Sequence, residues 1–102
     1  ATAEIKWIRG YPAVINNAEE TALAKQAAIE LVGEDRVFDV PKPYLGSEDF
    51  SFMLEKRPGS YLMIGNGEDS AGLHHPKYDF NDAALVPGAA YWGHLVEHFL
   101  KA

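Results

Sequence analysis

The chain has 102 residues, of which 47% are hydrophobic and 24% charged; this is enough for one globular domain and too few for two. Nine basic residues against fifteen acidic ones give a formal charge of −6, so no basic surface is available to bind nucleic acid. No apolar run reaches the roughly 20 residues that cross a bilayer, and the first residues lack the features of a signal peptide. We therefore expect a cytoplasmic protein with neither nucleic-acid nor membrane partners.

The first half of the sequence alternates strand and helix patterns. Residues 4–9 alternate polar and apolar side chains, as a half-buried strand does. From Asn17 onward, apolar pairs recur with a period of 3.6, which predicts an amphipathic helix capped by Asn17 with Glu20 as its capping-box partner and ended by Gly33. Residues 36–40 contain the β-branched Val37 and Val40 and are ended by Pro41 and Pro43, and they predict a second strand.

The second half continues the same alternation. Residues 47–55 predict a short helix with Ser47 as its cap, and residues 60–64 form an apolar run typical of a strand buried on both faces. A loop follows, and a last helix then begins at Asp82. Its expected core stripe consists of Leu85, Ala89, Trp92, Val96 and Phe99. This order predicts the α/β class: a partial three-layer α/β/α arrangement with a mainly parallel sheet.

Two segments follow predicted strands, at the sheet edge where α/β proteins bind ligands. Residues 46–49, Gly46-Ser47-Glu48-Asp49, lie after the second strand, and the loop after the third strand carries His74 and His75. Spacing alone favours a helix cap with dipole-stabilised acids for the first segment and a polar loop pair for the second. A loop of about fifteen residues in so small a domain nevertheless suggests a function.

A second histidine pair lies near the end of the chain. His94-Leu95-Val96-Glu97-His98 matches the H-x-x-E-H string of one class of zinc peptidases, and its spacing places both imidazoles on one side of a helix. The chain ends four residues later, so no downstream helix can supply a third ligand. We interpret these residues as part of a solvated helix face.

Four blocks together resemble one known family in their order and approximate spacing. They are Tyr11-Pro12 followed by Asn16, Gly46-Ser47-Glu48-Asp49-Phe50-Ser51, Leu73-His74-His75-Pro76-Lys77-Tyr78-Asp79-Phe80, and Ala84-Leu85-Val86-Pro87-Gly88-Ala89-Ala90. The chain resembles the carboxyl-terminal part of an M20-type metallo-amidohydrolase of the hippurate hydrolase and N-acyl-amino-acid hydrolase subgroup. The likeness covers nearly the whole chain.

The resemblance implies a domain organisation and a cofactor. Residues 1–10 would end the lid or dimerisation domain as its last strand, and residues 11–102 would form the carboxyl-terminal part of a catalytic domain of the zinc-peptidase type. That domain holds two divalent metal ions, usually zinc, manganese, nickel or cobalt. The start without Met also suggests a piece of a longer chain.

The resemblance also assigns residues. His74 matches a metal ligand of the family, whereas His75 occupies a variable position. The substrate-binding candidates are Gly46, Ser47, Glu48 and Asp49. The general-base glutamate and the other metal ligands of the family, including a cysteine, have no counterpart in this sequence. Because hydrolytic metal sites need about three protein ligands per ion, His74 alone cannot form one.

The resulting hypothesis is a parent enzyme that hydrolyses the amide bond of N-acyl amino acids. The parent is expected to be a homo-oligomer, and the isolated fragment is expected to be inactive and to self-associate through exposed strand edges or helix faces. Two alternatives stay open: a non-catalytic α/β module that binds a ligand or partner through the same loops, and an M20 peptidase or deacetylase acting on a different acyl substrate.

Overall fold

Helices and turns make up the regular structure of the computed structural model, which describes residues 1–100. The α-helices are α1 (Ala18–Val32), α2 (Phe50–Leu54) and α3 (Leu85–Leu100). Two short 3₁₀-helices, Glu34–Arg36 and Asp82–Ala84, follow α1 and precede α3. The remaining described residues form extended segments and turns that connect these helices.

The predicted parallel sheet, and with it the α/β class, is wrong. Segments 4–9, 36–40 and 60–64 form no strand, and no sheet exists within residues 1–100. Alternating or continuous apolar side chains suit a sheet, but a strand forms only where its backbone groups pair with a neighbouring strand. None of the three segments meets such a neighbour, so side chains such as Trp7 and Phe38 are exposed.

The helix predicted from Asn17 to Gly33 is confirmed as α1, but its capping box is not formed. The Asn17 side chain accepts a hydrogen bond from the backbone N–H of Glu19 at 3.0 Å. The backbone N–H of Asn17, which a capping box would direct to Glu20, instead donates to the carbonyl of Gly59 at 2.9 Å. The Glu20 side chain is therefore not needed for the cap, because a distant segment supplies the acceptor.

The start of α1 holds the segment that follows Gly59. The side-chain amide of Asn16 donates to the carbonyl of Tyr61 at 2.9 Å and accepts from its N–H at 2.8 Å. The hydroxyl groups of Thr21 and Ser60 are 3.0 Å apart. The Asn16 side chain thus makes the two hydrogen bonds to Tyr61 that one residue of a neighbouring strand would make. Side chains, and not a β-ladder, hold the extended segment that follows Gly59.

Helix α2 is shorter than predicted and does not use Ser47 as its cap. It begins at Phe50, whose N–H donates to Oε1 of Glu48 at 3.2 Å. The fully buried hydroxyl of Ser51 donates to the carbonyl of Glu48 at 2.7 Å. Glu48 therefore provides the acceptors that Ser47, which lies too far before the first helical turn, was expected to provide.

The last α-helix starts at Leu85, three residues after the predicted start at Asp82, where a 3₁₀-turn begins instead. The side chain of Asn81 accepts from the N–H of Ala83 at 3.0 Å and caps the 3₁₀-turn that begins at Asp82 and leads into α3. Pro87 is the third residue of α3. It is tolerated there because the N–H groups of the first helical turn have no partner within the helix.

The face of α3 that packs on α1 is not the predicted apolar stripe. Ala24 and Ala27 of α1 are buried, Ala27 completely, and the hydroxyl of Tyr91 donates to the carbonyl of Ala24 at 3.3 Å. Because alanine side chains are small, the two helices can approach closely. Polar groups of α3, such as the Tyr91 hydroxyl, therefore reach hydrogen-bond partners on α1. The stripe residues lie on the exposed side, with Trp92 65% and Phe99 57% exposed.

The described chain is extended for its length. Its radius of gyration is 17.4 Å, whereas a compact domain of 100 residues has about 13 Å. Buried hydrophobic residues are few and small: Ala24, Ala27 and Ala84. Among residues 1–100, no helix combines the length and the hydropathy that a membrane span requires.

Candidate functional site

The loop between Gly65 and α3 places His74 in an unusual backbone conformation. Its φ is 66°, and it is the one non-glycine residue within residues 1–100 that has a positive φ. The N–H of His75 donates to the carbonyl of Gly72 at 3.1 Å, which closes a turn with His74 as its third residue. Type II turns need a positive φ there and usually have glycine. A left-handed histidine costs about 1–3 kcal/mol, and such residues are concentrated at functional sites.

The neighbouring His75 has a local structural role. Its Nδ1 accepts from the N–H of Lys77 at 3.1 Å, and its carbonyl accepts from the N–H of Tyr78 at 2.9 Å. The His75 imidazole therefore stabilises the next turn. The His74 imidazole is exposed and has no hydrogen-bond partner within the described part of the chain, whereas one ring nitrogen of His75 is already engaged.

Asn66 closes the loop that carries both histidines. Its side-chain oxygen accepts from the N–H of Asn81 at 2.8 Å, and its side-chain nitrogen donates to the carbonyl of Asp79 at 2.8 Å. The Asn81 side chain returns a bond to the carbonyl of Asn66 at 3.1 Å. Sequence reasoning missed this role, although an asparagine between Gly65 and Gly67 is typical of a turn that fixes a loop.

The segment 46–49 is held by Glu48. One carboxylate oxygen accepts from the N–H of Phe50 and the other from the hydroxyl of Tyr61 at 3.2 Å. These hydrogen bonds, the Phe50 bond first, lower the pKa of Glu48, and the same contact raises the pKa of Tyr61. Gly46, Ser47 and Asp49 are exposed. The Glu48 carboxylate is therefore ionised at neutral pH, and each of its oxygens already accepts a hydrogen bond, from Phe50 and from Tyr61.

The structure does not bring the predicted site residues together. Within residues 1–100, no hydrogen bond or ion pair joins the segment 46–49 to His74. An open groove of about 620 Å³ lies between residues 64–68 and the start of α3, with Arg36 and Asn81 in its lining. Neither His74 nor segment 46–49 lines this groove, so their joint role in one site stays a prediction.

A second arrangement is already assembled at the contact between α1 and α3. Nε2 of His94 lies 3.0 Å from Oε2 of Glu30, and Nδ1 of His98 lies 3.3 Å from the same oxygen. The ligand atoms of the three side chains all lie within 4.8 Å of one another. The interpretation of His94 and His98 as part of a solvated helix face is wrong, because both rings contact Glu30 of α1 and are partly buried.

The electrostatics of this cluster follow from its hydrogen bonds. Nε2 of Gln26 donates to Oε1 of Glu30 at 3.1 Å. This bond, followed by the bond with His94, lowers the pKa of Glu30. Sequence reasoning missed the cluster because Glu30 is 64 residues before His94. The available signal was the spacing of Tyr91, His94, Leu95 and His98, which forms a second face of α3.

Comparisons with known proteins give a single family. The family model described as "Peptidase family M20/M25/M40" matches residues 2–98. No solved structure matches the chain. The sequence resemblance to M20-type hydrolases is thereby confirmed at the level of the family.

Several curated relatives carry hydrolase names. The chain is 36% identical over 92 residues to a probable hydrolase (sll0100) of Synechocystis, covering 86% of the chain and 23% of the relative. It is 36% identical over 90 residues to hippurate hydrolase of Campylobacter jejuni, covering 88% and 23%. It is 31% identical over 93 residues to IAA-amino acid hydrolase ILR1-like 2 of Arabidopsis thaliana, covering 88% and 21%. The chain thus spans less than a quarter of each of these relatives.

Proposed function

Because the chain belongs to peptidase family M20/M25/M40, we propose that it is part of a metal-dependent hydrolase that cleaves the amide bond of N-acyl amino acids. The relatives named for hippurate and for IAA-amino acids support this substrate class, since both names describe an acyl group joined to an amino acid. The proposal concerns the whole protein, in which segment 46–49 and the loop carrying His74 would contribute to one cleft.

The left-handed turn at His74 is the observation that carries the proposal. It presents an exposed imidazole whose ring nitrogens have no partner within residues 1–100, next to a histidine that is engaged in its own turn. Imidazole is a common ligand of divalent transition metals. A backbone that accepts about 1–3 kcal/mol of strain to aim such a group outward fits a ligand better than a random loop residue.

His74 fits a divalent metal ion as one ligand of several. The cluster of candidate ligands within residues 1–100 does not include His74, so its companions would come from other parts of the enzyme. Zinc, manganese, nickel or cobalt, when bound, would polarise the scissile carbonyl and lower the pKa of water. The role of His74 itself is to donate one ring nitrogen from a fixed turn.

Segment 46–49 would position the substrate. Glu48 is ionised and already accepts bonds from Phe50 and Tyr61, so it is suited to fixing the segment rather than to moving a proton. The Asp49 side chain makes no capping bond to α2, and Gly46 and Ser47 are exposed. These three residues are therefore available to contact the amino-acid part of a substrate.

Metal removal and replacement test the proposal. The whole protein, treated with a chelator, is assayed on benzoylglycine and on N-acetyl amino acids before and after addition of zinc, manganese, nickel or cobalt. We expect hydrolysis to disappear on chelation and to return with at least one of these ions. Hydrolysis that survives complete chelation, or no cleavage of any N-acyl amino acid with any ion, would contradict the proposal.

A further inference from the structure

The cluster of Glu30, His94 and His98 lies where α1 and α3 meet. His94 and His98 are one helical turn apart, which places their rings on the same side of α3. Glu30 comes from the last turn of α1 and reaches both rings with a single oxygen, Oε2. Two nitrogen donors and one oxygen donor therefore converge from two helices on one small volume.

The separations between these donors suit a transition-metal ion. Bonds of about 2.0–2.1 Å to a tetrahedral zinc ion place neighbouring ligand atoms about 3.3 Å apart. The oxygen of Glu30 lies 3.0 Å from the nitrogen of His94 and 3.3 Å from that of His98. An ion would replace the direct hydrogen bonds with only small side-chain shifts.

A neighbouring side chain orients the carboxylate. Gln26, one turn earlier on α1, donates to Oε1 of Glu30 at 3.1 Å and leaves Oε2 directed at the two histidines. Outer partners of this kind fix metal ligands and contribute about 10–100-fold to metal affinity. Gln26 would be a positioning residue for the cluster.

The exposure of the cluster allows an ion to enter. The side chains of His94, His98 and Glu30 are 26%, 31% and 37% exposed, so each is shielded on one side by the helix packing and open on the other. Two histidines and a carboxylate, with a fourth position open to water, form a ligand set that zinc, nickel and cobalt accept.

We propose that Glu30, His94 and His98 bind one divalent transition-metal ion, zinc foremost, which clips α3 to α1. This goes beyond the proposed amide hydrolysis, because it does not involve His74 or segment 46–49. Since the ligands come from two helices, bound metal stabilises the folded packing of α3 on α1.

Zinc titration of the full 102-residue chain, freed of metal by a chelator, tests the site. We expect one zinc per chain by calorimetry and, with cobalt, a visible absorption band of a four-coordinate ion. Removing a ligand should lower zinc affinity at least about 100-fold, because loss of outer partners alone costs up to about that factor. This applies to Glu30→Gln, His94→Ala and His98→Ala.

Matched controls separate this site from general surface binding. Glu97→Gln removes the same charge as Glu30→Gln, but from the H-x-x-E-H string that carries His94 and His98, and Glu97 is exposed. We expect zinc affinity to be unchanged in Glu97→Gln and His75→Ala. Zinc should also raise the thermal midpoint of the wild type and of Glu97→Gln but not of Glu30→Gln.

A measurement without substitutions guards against variants that misfold. In the wild-type chain, one equivalent of zinc should shift the ring-proton NMR signals of His94 and His98 and leave those of His74 and His75 in place. No zinc binding, binding that His98→Ala retains at full affinity, or zinc-induced shifts confined to His74 and His75 would overturn the proposal.

Discussion

The contact between α1 and α3 and the loop that carries His74 each hold two histidines, but they differ in completeness. At the helix contact, His94 and His98 have their partner, Glu30, within the described chain. In the loop, His75 serves its own turn and His74 points outward without a partner among residues 1–100. The first region is formed by the packing of two helices of this chain. The second region exposes an imidazole that is free to bind a group outside residues 1–100.

This difference shows how a sequence match and a spatial cluster carry separate information. The Leu-His-x-Pro block makes His74 a candidate through the family resemblance, and no side-chain hydrogen bond within residues 1–100 singles it out. The Glu30 cluster lies outside the four blocks that carry the family resemblance, and it becomes visible only through the distances between helices. The two regions should therefore respond differently when each is isolated or disrupted.

The largest expected effect is the absence of catalysis in the 102-residue chain alone. His74 is a single candidate ligand, and a hydrolytic metal site needs about three. Assays on benzoylglycine with added zinc, manganese, nickel or cobalt should show no turnover above a protein-free control. Turnover that depends on metal and on the purified chain would mean that the loop region is complete by itself.

The next effect concerns the apolar face of α3. Trp92 and Phe99 are exposed, whereas a different face of α3 packs on α1, so we expect the chain to self-associate at micromolar concentration through the exposed apolar face. Trp92→Lys should weaken association about tenfold or more, because large aromatic residues dominate interfaces. Analytical ultracentrifugation measures the change.

A matched variant at the other end of the chain sharpens that test. Trp7 is 88% exposed in segment 4–9, which the alternating pattern predicts to be a strand. If Trp7→Lys dissociates the assembly and Trp92→Lys does not, association occurs through residues 4–9 instead. A wild-type chain that stays monomeric over a hundredfold concentration range would refute self-association.

A smaller effect tests the packing of the helix contact. Ala27 is 0% exposed, so Ala27→Leu would force α1 and α3 apart. We expect a loss of about 1–3 kcal/mol in the free energy of unfolding, as for other overpacked cores. The control Ala22→Leu lies on the exposed side of α1 and should change stability little. Urea unfolding of both variants is the measurement, and equal effects would mean that the contact does not form.

The smallest effect is a titration shift at the edge of segment 46–49. The Glu48 carboxylate accepts a hydrogen bond from the neutral phenol of Tyr61 and repels the phenolate, so it raises the pKa of Tyr61. Glu48→Gln should lower that pKa, seen as earlier ionisation in ultraviolet absorption at alkaline pH. Tyr61→Phe identifies the signal, and an unchanged titration in Glu48→Gln would show that the contact is absent in solution.

Local signals predicted much of the helical structure. Asn17, Gly33 and the start at Asp82 act on backbone groups a few residues away, so the sequence alone indicates them. Strands and helix faces depend on partners elsewhere in the chain. The run 60–64 has the composition of a buried strand, yet Asn16 is its hydrogen-bonding neighbour and no ladder forms.

The same limit applies to the candidate sites. The apolar stripe of α3 is predicted to be core because its side chains are hydrophobic. Hydropathy does not show whether another part of the chain is placed to cover them. Here the alanines of α1 select the face with Tyr91 and the two histidines instead. The left-handed φ of His74 is likewise invisible in the sequence, since only about a few per cent of non-glycine residues adopt it.

The central claim is that His74, and not its neighbour, is the metal ligand through which this chain serves hydrolysis. The most direct measurement compares His74→Ala with His75→Asn in the active whole protein, by amide hydrolysis and metal content. Asparagine can still accept the bond from Lys77, so the second variant preserves the turn. We predict that His74→Ala loses at least about 100-fold in activity together with metal, while His75→Asn keeps most of both. Full activity and metal content in His74→Ala would contradict the claim.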